Sequence, residues 1–384
     1  MPTAMSVDVL IMGGGIGGLT TAIACQQAGF SSLILERASD FSEVGAGIWI
    51  APNAMQIFDR LEIISGLTEL GYPIDQIHLS STYSGELQVM SFQRYKFNIL
   101  AIHRARLQKY LAQCIEQDQI LFGRQVIHIE QESEEVTVQL ASGETFRAKI
   151  LVAADGLHSQ VRKLIFKNDK TQYSGSSSFR GIVKLNPHSN HMDHTSYEIW
   201  APGCKFGYSF ISTSEQYWYL CFKAKAHTYL KSIEMHSFAK KLVAKYFSAQ
   251  IDLIDQTAPG QIIQTDLSDL SPLPYWSDKR IALLGDAAHA TTPHLGQGAA
   301  QAIEDTMALS LALKKYGLNE QALTRYHKIR HQKAEYLVRK ARAYGNMSES
   351  SSPFFQIIRD MAFRNTPQFI MDKMSDKIFI PVIQ

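Results

Sequence analysis

Two glycine-rich stretches far apart in the chain carry the residue types needed to hold an anion and a sugar. In the first, the apolar run Val7 to Met12 leads into Gly13, Gly15 and Gly18, spaced G-x-G-x-x-G, ahead of a helix-like segment Leu19 to Ala28. Gly13 permits a tight turn, Gly15 removes a side chain where a pyrophosphate must approach backbone amides, and Gly18 allows helix to pack closely on strand. A second apolar run, Ser32 to Leu35, ends in Glu36, near the roughly 20-residue offset at which an acid meets a ribose 2′-hydroxyl. An acid there disfavours a 2′-phosphate.

The second stretch is GDAAHATTPHLGQGAAQAIED, Gly285 to Asp305. An apolar strand, Arg280 to Leu284, runs into Gly285-Asp286, where the backbone can approach a ligand and a carboxylate can accept from sugar hydroxyls. Pro293, Gly296 and Gly298 then shape a turn that opens a helix of small residues. Free N–H groups and the positive dipole end at its start suit an anion. The first stretch alone fits NAD or FAD. A plain dehydrogenase has no need of a second sugar-binding carboxylate some 250 positions on, whereas FAD has a ribityl chain to be held, so the pair of stretches points to a flavin.

With both stretches in view, the chain resembles the single-component FAD-dependent aromatic monooxygenases over about Val7 to Arg342. This para-hydroxybenzoate hydroxylase-like group also holds zeaxanthin epoxidases and urate, salicylate and alkylquinolone hydroxylases. Besides the two glycine stretches, VGAGIWIAPNA (Val44 to Ala54), HRARLQKYL (His103 to Leu111) and AADGLHSQVR (Ala153 to Arg162) carry the likeness. The resemblance implies that Glu36 binds the adenosine ribose, with Arg37 near the adenine or its ribose. It puts Arg104 on the phosphate and ribityl region, Asp286 on the ribityl or pyrophosphate region, and the backbone of Gly296, Gln297, Gly298 and Ala299 against the flavin ring. Ala46 and Gly47 pass beside the isoalloxazine, and Val126 and Asp155 complete the cofactor set. Asp155-Gly156 following an apolar strand also reads as a plain turn.

Stepping from these residues to their supports, the order β-α-β at the start and a return to strands at Phe146 to Ala154 predict an α/β, Rossmann-like FAD domain of the GR2 flavoprotein type. It is expected to comprise residues 1–72, 98–172 and 271–345, including a helix from Arg104 to Asp118 and a strand from Val126 to Gln131. Short alternating aromatic segments, Phe179 to Leu185, Ser196 to Trp200, Lys205 to Ser212 and Gln216 to Lys223, predict an inserted antiparallel sheet as the substrate domain, 73–97 and 173–270. Trp218 and Tyr208 are its candidate cavity residues, although aromatic stripes in sheets are most often core. Tyr326 to Arg342 reads as a helix whose basic residues form a solvated face. Residues 346–384 form a C-terminal helical segment with an amphipathic pattern that can cap the pocket, join two copies or touch a membrane surface.

At 384 residues and a formal charge of +2, the chain is large enough for two domains and shows no nucleic-acid footprint. Four cysteines, without ligand spacing, argue against disulfides and metal. No apolar run reaches spanning length and no leader pattern opens the chain. A cytoplasmic monomer or homodimer is expected.

The resemblance further implies that NADH or NADPH reduces FAD. Dioxygen then reacts, and a flavin hydroperoxide delivers one oxygen atom to a small aromatic or conjugated substrate by hydroxylation or epoxidation. His294, beside the flavin loop, is the candidate base to raise substrate electron density, or simply closes the Pro293 to Gly296 turn. Urate hydroxylases carry an acid in its place, which argues against urate. The rival functions are an FAD-dependent reductase or oxidase without oxygen insertion and a non-catalytic flavin redox sensor.

Overall fold

The computed structural model describes residues 5–41, 46–185 and 193–384; Val44 and Gly45 of the VGAGIWIAPNA stretch lie outside them. Strand Met5–Met12 is the centre of an eight-stranded sheet, paired in parallel with Ser32–Leu35 on one side and Thr145–Ala153 on the other. Its residues Val9, Leu10 and Ile11 are fully buried, as required of a parallel strand covered by helices on both faces. Beyond Thr145–Ala153 lie Ile281–Leu283, which delivers Gly285, and a hairpin of Val126–Gln131 with Val136–Leu140.

Close approach fixes the first crossover. Gly13 adopts φ +101°, and a Cβ on Gly18 would sit 1.9 Å from the Gly13 carbonyl oxygen, so any larger residue at position 18 would push the helix Ile16–Ala28 off its strand. That helix packs along the long helix Gly298–Tyr316, where Thr21 and Thr306 hydroxyls meet at 3.1 Å. The two glycine stretches thereby come together.

A seven-stranded sheet stands over this layer in the order Ile263–Leu270, Thr171–Lys184, Glu215–Lys223, Cys204–Ser212, Thr195–Ala201, Gln76–Ser81, Gly85–Ser91. All its pairings are antiparallel except that of Thr195–Ala201 with Gln76–Ser81. One face buries Phe206, Trp218 and Phe179 against the helix Ser232–Tyr246. The opposite face carries Lys205, Gly207 and Ser209 in register with Cys221, Tyr219 and Tyr217. A three-stranded sheet, Gly47–Ile50, Ile99–His103 and Tyr72–Ile74, bridges the two layers.

Three sequence expectations change. The helix at Arg104 stops at Gln113, because the Cys114 N–H turns back to the Leu111 carbonyl at 3.2 Å, and a short 3-10 turn follows at Gln117–Gln119. The helix around Tyr326 runs much further, Glu320–Ser348. Its basic residues are not all solvated: Arg330 and Lys333 are buried. Arg330 Nε donates to Asp305 Oδ1 at 2.8 Å and its Nη1 to Glu304, while Lys333 Nζ donates to Glu304 Oε1 at 2.6 Å. Both acids lie in the helix Gly298–Tyr316, and Asp305 also binds His289 at 2.5 Å and the Gly285 N–H at 3.0 Å. Arg330→Met removes the guanidinium that Glu304 and Asp305 share and leaves Glu304 to Lys333 and Asp305 to His289 and the Gly285 N–H, at a cost of about 3–5 kcal/mol. Equilibrium denaturant unfolding should show that loss, and an unchanged midpoint would remove the network as a keystone.

Candidate active site

A cavity of about 470 Å³ opens between the Rossmann-like layer and the inner face of the seven-stranded sheet. At one end it is lined by Gly15, Ala46, Gly47, Arg104, Asp286 and the Gly296 to Ala299 backbone, and at the other by Arg180, Glu198, Lys205, Tyr217, Tyr219, Cys221 and His294.

The first end is built by backbone. Gly15 precedes the helix Ile16–Ala28, which has no side-chain cap, and nothing lies within 4 Å of the place its Cβ would take. Glu36 reaches across to this loop, its Oε2 accepting from the Gly14 N–H at 2.6 Å and its Oε1 from the Ala38 N–H at 2.7 Å. Gln108 donates to the Gly14 carbonyl at 2.8 Å. Arg104 starts its own helix, held by its N–H to the Ala46 carbonyl at 3.1 Å. Gly285, at φ +61°, turns the chain so that the Asp286 carboxylate stays exposed to the open cavity. The protein packed around Asp286 pushes its carboxyl above the usual range, opposed by His289 and Arg104. Gly296, also at φ +61°, passes over the Trp49 ring, and the helix beginning at Gly298 likewise lacks a side-chain cap.

Two uncapped helix starts, an open glycine and an arginine and aspartate facing one space fit a long ligand with a pyrophosphate, a polyol and a planar ring. FAD has those parts in that order.

The second end is a wall of polar groups in a dry setting. Glu198 and Lys205 are buried and pair at 2.9 Å; Tyr219, Trp200 and Tyr344 also donate to Glu198, at 2.5, 2.7 and 2.9 Å. Burial works against both charges, yet their mutual attraction and the donors hold Glu198 below and Lys205 above the ordinary values, so both remain ionised. Burial pushes Cys221 up to about 12, leaving it a neutral thiol.

His294 is walled in. A Cβ on Gly345 would lie 2.3 Å from its Nε2 and Cδ2, so the glycine is what admits the ring. The Nε2 edge faces Glu349 Oε1 at 3.7 Å, and His294 Nδ1, on the far side of the ring, has no hydrogen-bond partner among the described residues. Burial, reinforced by Lys205 and Lys223, holds the imidazole well below its ordinary value, so it is neutral at pH 7. Burial also raises Glu349, opposed by the Ser176 hydroxyl and the two lysines.

Several sequence-singled residues lie elsewhere. Gly13 and Gly18 shape the turn, and Arg37 is exposed beside Glu36, beyond the cavity. Val126 opens its strand with its side chain buried in the core. Asp155 accepts from the Gln160 and Val161 N–H groups at 2.7 and 3.2 Å, holding the start of the next helix, while its neighbours Ala154 and Gly156 reach the cavity. Trp218 and Tyr208 are corrected outright. They are register partners on the outer face, where Trp218 Nε1 donates to Thr257 and Tyr208 stacks on Tyr197.

The residues that line the inner end in their place include Lys205, Glu198 and Arg180, and Glu349 stands behind His294. The available signal was a lysine in an otherwise aromatic strand, paired in register with Cys221 on the side where Gly207 leaves room for the Tyr219 ring.

Fold and site together define an FAD-dependent monooxygenase of the aromatic hydroxylase type, an oxidoreductase. Residues 6–341 match the family described as FAD binding domain, and the chain belongs to that family. It is 34% identical to the aurachin C monooxygenase/isomerase of Stigmatella aurantiaca over 93% of this chain and 94% of that one. It is 28% identical to the 2-heptyl-3-hydroxy-4(1H)-quinolone synthase of Pseudomonas aeruginosa over 98% of each. The fold matches that of Klebsiella pneumoniae HpxO, solved with FAD and uric acid, at TM-score 0.90 and 23% identity, covering 99% of this chain and 98% of that one.

Asp286→Ala removes the carboxylate that faces the cavity beside Arg104. FAD affinity should fall about ten- to hundredfold, the worth of one or two charge-assisted hydrogen bonds, read as flavin absorbance per polypeptide and by fluorescence titration. Full flavin occupancy in the variant would remove Asp286 from the cofactor site.

Proposed function

We propose that the protein hydroxylates a planar, oxygen-bearing heteroaromatic ring of the 4-quinolone type, using NADH or NADPH as reductant and dioxygen as co-substrate, in the cytoplasm. The observation that carries this reading is the continuity of one cavity from Arg104, Asp286 and Gly298 to Tyr217, Lys205 and His294. Relatives named for N-heteroaromatic chemistry support it: the 2-heptyl-3-hydroxy-4(1H)-quinolone synthase, and a 6-hydroxynicotinate 3-monooxygenase of Pseudomonas fluorescens at 26% identity.

Bound FAD, once reduced, supplies the activation of dioxygen from which one oxygen atom reaches the ring and the other leaves as water. The chain does the rest. Glu36, Gly15 and Arg104 hold the nucleotide end, and Asp286 holds the polyol. The start of the Gly298 helix sets its N–H groups and dipole against negative charge on the ring system. Gly47 lets the sheet close over that ring, since a Cβ there would lie 2.4 Å from the Tyr217 ring. Tyr217 and Tyr219 offer flat walls that exclude water.

Lys205, kept cationic by Glu198, holds negative charge on a substrate oxygen. His294, whose ring lines this end of the cavity, takes the proton from the substrate N–H or O–H, raising the electron density of the ring. Glu349 orients the imidazole and steadies the charge it gains.

Because burial depresses His294, its basic form persists through neutral pH and is lost only as pH falls well below 6.5. Wild-type kcat should therefore be level between pH 6 and 8. His294→Gln should lower kcat at pH 7 about 10²-fold or more with flavin occupancy intact, and recover as pH approaches the substrate's own pKa. A variant with the wild-type rate and pH profile would rule out the base.

A further inference from the structure

The helix Pro353–Arg364 is folded with its polar side inward. Gln356, Arg359 and Asp360 are buried, whereas Phe354, Phe355, Ile358 and Met361 are exposed, Phe354 by 74%. This orientation is locked by specific bonds. Ser81 donates to Asp360 Oδ2 at 2.5 Å, Gln356 donates to the Ser350 carbonyl at 2.7 Å and Arg359 to the Met347 carbonyl at 3.1 Å, and the Arg359 guanidinium lies 4.6 Å from the Trp200 ring centre. Turning the helix over would strand a buried ion pair, so the apolar side is held on the surface by the fold. The next helix, Gln368–Phe379, also exposes Phe369 and Met374. Large apolar side chains held on the surface of a folded protein in this way mark an interaction site.

Charge identifies what covers it. Asp372 and Asp376, the acids of the second helix, are taken up by Arg94. Lys373 and Lys377 remain exposed and, among the described residues, have no carboxylate partner; Lys377 instead shares the Tyr336 ring with Lys340, at 5.9 and 5.6 Å. Against a lipid surface these lysines meet phosphates, while Phe354, Ile358, Phe369 and Met374 enter the acyl boundary.

From this arrangement we infer that the two C-terminal helices dock the protein on the face of an anionic phospholipid membrane. No helix among the described residues is long and apolar enough to cross one, so the attachment is peripheral. Docking there leaves the helix Pro353–Arg364 and Trp200 between the bilayer and Glu198 of the cavity wall, because Trp200, which bonds Glu198, packs directly on Phe363 and Arg359. The inference does not depend on the reaction catalysed.

Flotation of the flavin-loaded protein with vesicles of phosphatidylglycerol and phosphatidylethanolamine, or of phosphatidylcholine alone, tests it. The wild type should float with the anionic vesicles and release at high salt. Phe354→Ser combined with Ile358→Ser should weaken partitioning about tenfold or more. Lys373→Glu with Lys377→Glu should weaken it on anionic vesicles alone. Both double variants should keep full flavin absorbance and an unchanged thermal melt, since every substituted side chain is exposed. Wild-type protein that stays unbound on anionic vesicles would overturn the inference. So would binding unaffected by either double variant, or a dimer in sedimentation velocity that Phe354→Ser with Ile358→Ser dissociates.

Discussion

Glu304 and Asp305, two adjacent acids in a largely buried helix, bind Arg330 in the core, and the rest of the site is positioned from that contact. The helix that carries them begins at Gly298 on the cavity wall. Its Asp305 fixes the Gly285 N–H and His289, hence the loop bearing Asp286. The helix that answers with Arg330 carries in its last turn Gly345, which admits His294, and is capped by Glu349, which faces that ring. Buried ion pairs add little net stability once desolvation is counted, but breaking one is costly. Here the pairing acts chiefly as a registration device: it sets the axial position of one helix on the other, and so of Gly298 relative to Gly345 and the His294 ring it admits.

The same economy appears in the seven-stranded sheet. Its outer face is apolar and packs on the helix Ser232–Tyr246. Its inner face combines tyrosines with one buried lysine whose charge is balanced by Glu198, a carboxylate that accepts from three further donors. This wall of the cavity is thus not uniformly apolar, and it holds a fixed cation in place.

The cofactor half of the molecule was legible in the sequence because its rules are local. Gly13, Gly18, Gly285 and Gly296 are demanded by turns and close approaches within a few residues of one another, and Glu36 and Asp286 follow apolar strands at readable offsets. The substrate half was not legible in the same way. In strands Cys204–Ser212 and Glu215–Lys223 large side chains alternate on both faces, so aromatic content pointed to Trp218 and Tyr208, on the face that a helix covers. Glu198 and Lys205 meet across a strand pair, and Glu349 reaches His294 from the far end of a long helix; such pairings exist only in the folded chain. Arg330 and Lys333 were misread as solvated although they fall on the stripe of Tyr326 and Leu337. The two adjacent acids inside a helix of alanines and leucines were the complementary signal.

The central claim is that one cavity joins a flavin to an aromatic substrate so that oxygen passes directly between them. Turnover of a 2-alkyl-4-quinolone with NADH or NADPH under ¹⁸O₂, followed by mass spectrometry of the product, tests it most directly. The account predicts a product heavier by one ¹⁸O atom, formed in step with nicotinamide oxidation. Nicotinamide oxidation with release of hydrogen peroxide and no labelled product, across oxygen-bearing heteroaromatic rings, would contradict it.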